Sequence, residues 1–150
     1  EDGRINALCL GPGLGVERAR ELIEVAMGAK HPSYVLDADA LTAFESEPKA
    51  LFALLHKRCV LTPHAGEFKR LFPDIAEKLE TPATKGPAYS KVDATREAAK
   101  RAGWVVLFKG PDTVIAAPDG RCSINSAHYE RATPWRSSRG SRARRALPSA

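Results

Sequence analysis

Two rhythms of apolar and polar residues run through this chain. Short, mainly apolar stretches at residues 5–10, 33–37, 59–61 and 104–108 have the length and composition of buried strands. Between them the apolar residues recur at helical spacing. Val16, Ala19, Leu22, Ile23, Ala26 and Met27 line one face, with Glu17, Arg18, Arg20, Glu21 and Glu24 on the others, which predicts an amphipathic helix. Leu51, Phe52, Leu54 and Leu55 predict a second helix over 48–57, with Pro48 in its first turn. Phe68, Leu71 and Phe72 begin a third, which Pro73-Asp74 breaks; residues 75–86 read as a short helix and a Thr/Pro/Gly loop. Tyr89, Val92, Ala99 and Ala102 form the apolar side of a long polar helix that Gly103 ends as its C-cap. Residues 113–117 and 121–125 flank Pro118-Asp119-Gly120 and predict a hairpin. Strands alternating with helices through residue 108, followed by a hairpin, predict an α/β layer fold with a mainly parallel sheet.

The candidate chemistry sits where the predicted strands end, the edge at which open α/β sheets bind ligands. Gly11-Pro12-Gly13-Leu14-Gly15 is a glycine-rich turn before a helix, which suits backbone N–H groups facing an anion or a purely structural tight turn. It lacks the spacing of a Rossmann dinucleotide fingerprint and the Lys-Ser/Thr of a P-loop. Asp37-Ala38-Asp39-Ala40-Leu41 offers carboxylates that could hold a hydroxyl or a metal-bound water, or cap the next helix. Thr62-Pro63-His64-Ala65-Gly66-Glu67-Phe68 is a strand-to-helix turn. In it Thr62 could cap the helix and Glu67 favour its N-terminus, or His64 and Glu67 could face a ligand, with Gly66 allowing an unusual backbone or close approach. Lys109-Gly110-Pro111-Asp112-Thr113 places a lysine at a strand end before glycine, where it either meets a phosphate as a point charge or is a solvated turn residue.

Charge changes this picture little. The chain of 150 residues has 23 basic and 18 acidic side chains, a net charge of +5. Six arginines and one acid, Glu130, lie in residues 127–150, so residues 1–126 carry 17 of each sign and are neutral. The basic character belongs to the tail and argues against nucleic acid as the ligand of the body. No apolar run is long enough to span a bilayer, so no membrane partner is expected, and the start does not read as a signal peptide. Cys9, Cys59 and Cys122 lie in or beside predicted strands and read as small buried hydrophobes in a reducing, cytoplasmic compartment, not as metal ligands.

Taken together and in order, the four strand-end motifs resemble the NAD(P)H-hydrate dehydratases, a branch of the ribokinase-like fold; the resemblance covers about residues 5–126. It implies a ribokinase-like three-layer sandwich with a mainly parallel sheet, incomplete at both ends, so that this chain reads as the middle of a larger domain. It also implies a carbon–oxygen lyase that repairs hydrated NADH and NADPH: ADP, or ATP, phosphorylates the hydrate's hydroxyl, and phosphate is eliminated to restore the dihydronicotinamide. By this resemblance Gly13, Gly15, His64 and Glu67 contact the substrate. Lys109, Gly110, Pro111, Asp112 and Thr113 lie along the adenine nucleotide. Mg²⁺ accompanies the phosphates, and the full-length family forms homo-oligomers. The alternatives are another ribokinase-like kinase of small alcohols, of the hydroxyethylthiazole or hydroxymethylpyrimidine type, or a non-catalytic nucleotide-binding fragment.

The resemblance fails at residues 127–150. There the family pattern leads to Gly-Ser/Ala-Gly-Asp, whose amides form an anion hole and whose Asp is the catalytic base. No Gly-x-Gly-Asp occurs here, and Asp119, in the hairpin turn, is the last Asp. No catalytic residue can therefore be assigned, and a chain of this sequence is expected to be inactive. Residues 136–150 are rich in Arg, Ser and Ala without hydrophobic periodicity. They read as a reading frame lost near Trp135 or a sequence error there; the rival reading is a natural basic tail for nucleic acid or anionic lipid.

Overall fold

The computed structural model describes residues 6–28, 33–55, 58–82 and 87–126. The expectations placed on residues 127–150 lie outside these. Six strands form one sheet in sequence order: β1 (Leu8–Leu10), β2 (Tyr34–Leu36), β3 (Cys59–Leu61), β4 (Val105–Phe108), β5 (Asp112–Ala116) and β6 (Cys122–Ser126). The first four run parallel, and β4, β5 and β6 pair antiparallel, as the hairpin reading expected. The helices are α1 (Val16–Gly28), α2 (Asp39–Thr42), α3 (Pro48–Leu54), α4 (Ala65–Leu71), α5 (Pro73–Glu80) and α6 (Lys91–Ala102). Pro73 opens α5 as its first residue, and the break falls on Phe72, whose extended φ of −135° ends α4. Gly103 closes α6 in the left-handed conformation at φ +78°.

A sheet whose parallel strands follow one another without reversal, joined by crossovers of one hand, puts every connecting helix on the same side. The core reflects this. Tyr34, Leu36, Cys59, Leu61, Val106 and Phe108 point to one face and pack with Ile23, Leu41, Phe44, Phe68, Phe72, Ala94 and Ala98 of the helical layer. Phe68 and Phe108 stack with ring centroids 4.1 Å apart, and the buried Tyr34 hydroxyl donates to the Ala26 carbonyl of α1. The alternate residues Val35, Val60, Val105, Leu107 and Ile115 point to the other face and are only half-buried. The described residues thus supply two layers of the expected sandwich.

This one-sidedness corrects the reading of the cysteines. Cys59 is buried, but Cys9 is exposed and Cys122 half-buried. Cys9 lies on the bare face of an edge strand, whereas Cys122 opens the other edge strand opposite the buried Ala116 and packs against the core from the sheet's margin, which leaves it partly open. Among the described residues no helix is long and apolar enough to cross a membrane.

Candidate functional site

Parallel strands in register bring their carboxyl ends to one edge, so the four motifs become neighbours. Backbone bonds join them in sequence. The Asp37 N–H donates to the Leu10 carbonyl at 3.0 Å, the Thr62 N–H to Leu36 at 3.1 Å, and the Lys109 N–H to Pro63 at 2.9 Å.

The first two loops interlock. At Gly11, φ is +129°, and a Cβ would lie 1.7 Å from the Asp37 carbonyl oxygen, so only glycine lets β1 leave the sheet against β2. Gly13 and Gly15 also have positive φ, and the loop is exposed at both. The Gly15 N–H donates to Asp39 Oδ2 at 2.9 Å, so the chain supplies the carboxylate that faces this loop. Neither aspartate caps α2 through its side chain; its N-cap is Ala38, a non-glycine residue at φ 47°. A positive φ outside glycine is held only where the surroundings over-determine it, and here it turns Asp37 and Asp39 to different neighbours.

Asp37 meets Lys109. The lysine Nζ is 2.6 Å from Asp37 Oδ1, joining the end of β2 to the end of β4 across the intervening strand. Both side chains are about a third exposed. Burial pushes the Asp37 carboxyl up, but the hydrogen bonds from Lys109 and the Ala38 N–H, with the lysine's charge, outweigh it and hold the group below its ordinary value.

His64 is the cap of α4, a role for which Thr62 was one candidate in the sequence. Its Nδ1 accepts from the N–H groups of Gly66 at 3.0 Å and Glu67 at 3.4 Å, while the Glu67 carboxylate accepts from the His64 N–H at 2.8 Å. This reciprocal capping box uses histidine where Ser or Thr is usual. The Thr62 hydroxyl instead donates to the Leu36 carbonyl at 3.2 Å. Gly66 has no unusual φ; a Cβ there would lie 2.9 Å from His64 Cε1, so it makes room for the imidazole. The His64 side chain is 55 % exposed and Glu67 only 5 %. The ring is open to solvent, and the carboxylate is turned back beneath it, with Oε1 3.3 Å from the ring's Nε2.

The last loop is built on a residue that sequence reading passed over. Lys91, the first residue of α6, sends its ammonium under residues 109–112, donating to the carbonyls of Lys109 at 3.1 Å and Asp112 at 2.5 Å. It stands 4.3 Å from the centroid of the Phe108 ring. The Thr113 hydroxyl closes the loop onto the Gly110 carbonyl at 3.2 Å. Gly110, Pro111 and Asp112 are exposed. One signal could have singled out Lys91: a cation at the start of a helix opposes the helix dipole and needs another reason to be there.

Among the described residues no three His, Cys, Asp or Glu side chains group to hold a metal ion. Asp37 and Asp39 are already engaged by Lys109 and Gly15. They form no protein cage for Mg²⁺, whereas an ion carried mainly by nucleotide phosphates and water would need none.

Comparison with known proteins gives a consistent picture. The sequence pattern of the NAD(P)H-hydrate dehydratase family matches residues 1–134, ending one residue short of Trp135. The bifunctional NAD(P)H-hydrate repair enzyme Nnr of Corynebacterium glutamicum is 39% identical over 137 residues, covering 88% of this chain and 23% of that protein. The enzyme of the same name from Mycobacterium tuberculosis is 40% identical over 126 residues, covering 83% of this chain and 24% of the relative. Among solved structures, the ADP/ATP-dependent NAD(P)H-hydrate dehydratase of Bacillus subtilis, co-crystallised with ATP/Mg²⁺, superposes with a TM-score of 0.61 at 30% identity. That match takes in 81% of this chain and 39% of the other. A ribokinase-like superfamily protein of Enterococcus faecalis, at TM-score 0.59 and 22% identity over 80% of this chain and 38% of its own, shares the fold. The chain thus spans about a quarter of these curated relatives and two fifths of the solved ones.

Proposed function

We propose, from the premise that this chain belongs to the NAD(P)H-hydrate dehydratase family, that its strand-end cleft takes hydrated NADH or NADPH beside the glycine loop and His64, and an adenine nucleotide along residues 109–113. The reaction served is dehydration of the hydrate to NAD(P)H with ADP or ATP as phosphoryl donor. The hydrate's hydroxyl accepts the phosphoryl group, and loss of phosphate restores the dihydronicotinamide. One observation carries the reading: the Lys109–Asp37 ion pair ties the nucleotide-side loop to the substrate-side loop at a single edge. Two ligands that must exchange a phosphoryl group need such adjacency.

Within this cleft the residues divide the work by their chemistry. Lys109 has three N–H donors, and Asp37 takes one; the rest serve a phosphate as a point charge. The imidazole of His64 keeps Nδ1 on α4 and has Nε2 3.3 Å from Glu67 Oε1, so it is the exposed side of the ring that meets the substrate. Gly13 and Gly15 shape an exposed backbone surface against which a nicotinamide nucleotide can lie closely. Glu67 acts through His64, fixing it from below. The sequence offers no Gly-x-Gly-Asp, so no residue of these 150 is assigned as base, and a polypeptide of this sequence binds nucleotide without turnover.

The test uses that polypeptide. Calorimetric titration with ADP is expected to show binding that Lys109→Met removes, and incubation with hydrated NADPH and ADP to give no NADPH. Absent ADP binding, or binding indifferent to Lys109→Met, overturns the nucleotide assignment. NADPH production overturns the expectation of inactivity.

A further inference from the structure

Lys91 does more than fill space beneath the nucleotide-side loop. Its two acceptors, the carbonyls of Lys109 and Asp112, bracket the exposed turn. All peptide bonds among the described residues are trans. In a planar trans peptide the C=O and N–H point to opposite sides. Drawing the Lys109 carbonyl inward to the ammonium therefore turns the Gly110 N–H outward. Gly110 is exposed, and no hydrogen bond among the described residues uses that N–H. Glycine at 110 leaves the ammonium its place, because a Cβ there would lie 2.6 Å from Lys91 Nζ. The cation is also held firmly: it is half-buried and stands over Phe108, itself stacked on Phe68.

We propose that Lys91 is a positioning residue that orients the Lys109–Gly110 peptide, so that the Gly110 N–H is presented to a phosphate of the bound adenine nucleotide. Lys91 does not itself touch the ligand. The inference rests on the nucleotide reading of residues 109–113 and adds the residue that gives that loop its anion-facing shape. A backbone N–H aimed in advance costs no reorganisation when the anion arrives, which is why fixing the peptide plane matters for affinity.

The experiment follows the backbone amide signals of residues 109–113 by NMR in the 150-residue chain while ADP is added, in the wild type, Lys91→Met and Lys91→Arg. In the wild type the Gly110 amide is expected to shift on ADP addition. Lys91→Met keeps the side chain's length but removes the donor; it is expected to lose that shift and to weaken ADP binding by roughly tenfold or more, on the scale of a hydrogen bond to a charged group. Lys91→Arg can still donate to both carbonyls and is expected to restore both readouts. A general loss of stability would not be reversed selectively at the Gly110 signal. If ADP moves other signals of the loop but leaves Gly110 unmoved in the wild type, or moves it equally in Lys91→Met, the inference is overturned and the nucleotide reading stands. If ADP moves none of the wild-type signals of residues 109–113, the nucleotide reading fails and takes the inference with it.

Discussion

His64 has one duty that the structure shows and one proposed for it, which a substitution can separate. Its Nδ1 satisfies the first free N–H groups of α4, and its ring is exposed. Asparagine caps helices well and lacks the imidazole, whereas alanine does neither. His64→Ala is expected to lower stability by about 0.5–2 kcal/mol, and His64→Asn to leave it nearly unchanged, in urea unfolding. Loss of affinity for an NAD(P)H analogue in the asparagine variant would then report contact with the substrate; unchanged affinity would restrict His64 to the cap. At this scale the sequence marked the strand-end loops but not how each residue in them is used. His64, Glu67 and Lys109 stood out because charged or polar side chains end apolar strands. That His64 caps α4 in place of Thr62 was hidden, because a cap depends on which side chain the turn directs at the helix. Lys91 was hidden because its partners are carbonyls 18 and 21 residues away.

Among the helices, α5 and α6 are clamped by charge. Arg101 of α6 grips Asp74 of α5 through both nitrogens, at 2.5 and 2.7 Å, and also reaches Glu97 at 3.3 Å. Glu97 in turn accepts from Lys78 and from the Tyr89 hydroxyl. The Arg101 hydrogen bond holds the Asp74 carboxyl down at about 2, against an ordinary 3.8. A carboxylate with a depressed folded value stabilises the fold above its ordinary value and loses that contribution as pH falls through the depressed one. The pair is about half exposed, which limits its contribution to about 0.2–1 kcal/mol. Asp74→Asn is expected to reduce stability by that amount at pH 5, with the difference from wild type shrinking below about pH 4 and most of it gone by about pH 2; thermal melts across this range check it. An unchanged difference at pH 2 would mean that the carboxylate's charge is not the cause. The helices themselves were legible because apolar spacing, Pro73 and Gly103 all mark the same boundaries. Strand lengths were less so: the run at residues 5–10 yields only Leu8–Leu10, because pairing with β2 sets where a strand begins.

Over the whole molecule, unbroken apolar runs predicted strands covered on both faces, as parallel sheets usually are. The described residues cover one. The difference arises from topology, which composition does not encode: sequential strands place the helices of the described residues on one side, and only tertiary structure shows which residues of each run fall opposite. The same order is what brings the four motifs to one edge, so the clustering of the site and the one-sidedness of the core have a single cause. The family and its fold were legible earlier than either, because four motifs in fixed order are hard to match by accident.

Val35, Val60, Val105, Leu107 and Ile115 already meet water in part in the native state. Melting this protein should therefore uncover less fresh hydrocarbon than its length suggests. Scanning calorimetry is expected to give a heat-capacity increment below the usual value of about 12–15 cal/mol/K per residue. A normal increment would reveal that this side of the sheet is dry in solution, shielded by contacts that an isolated chain does not contain.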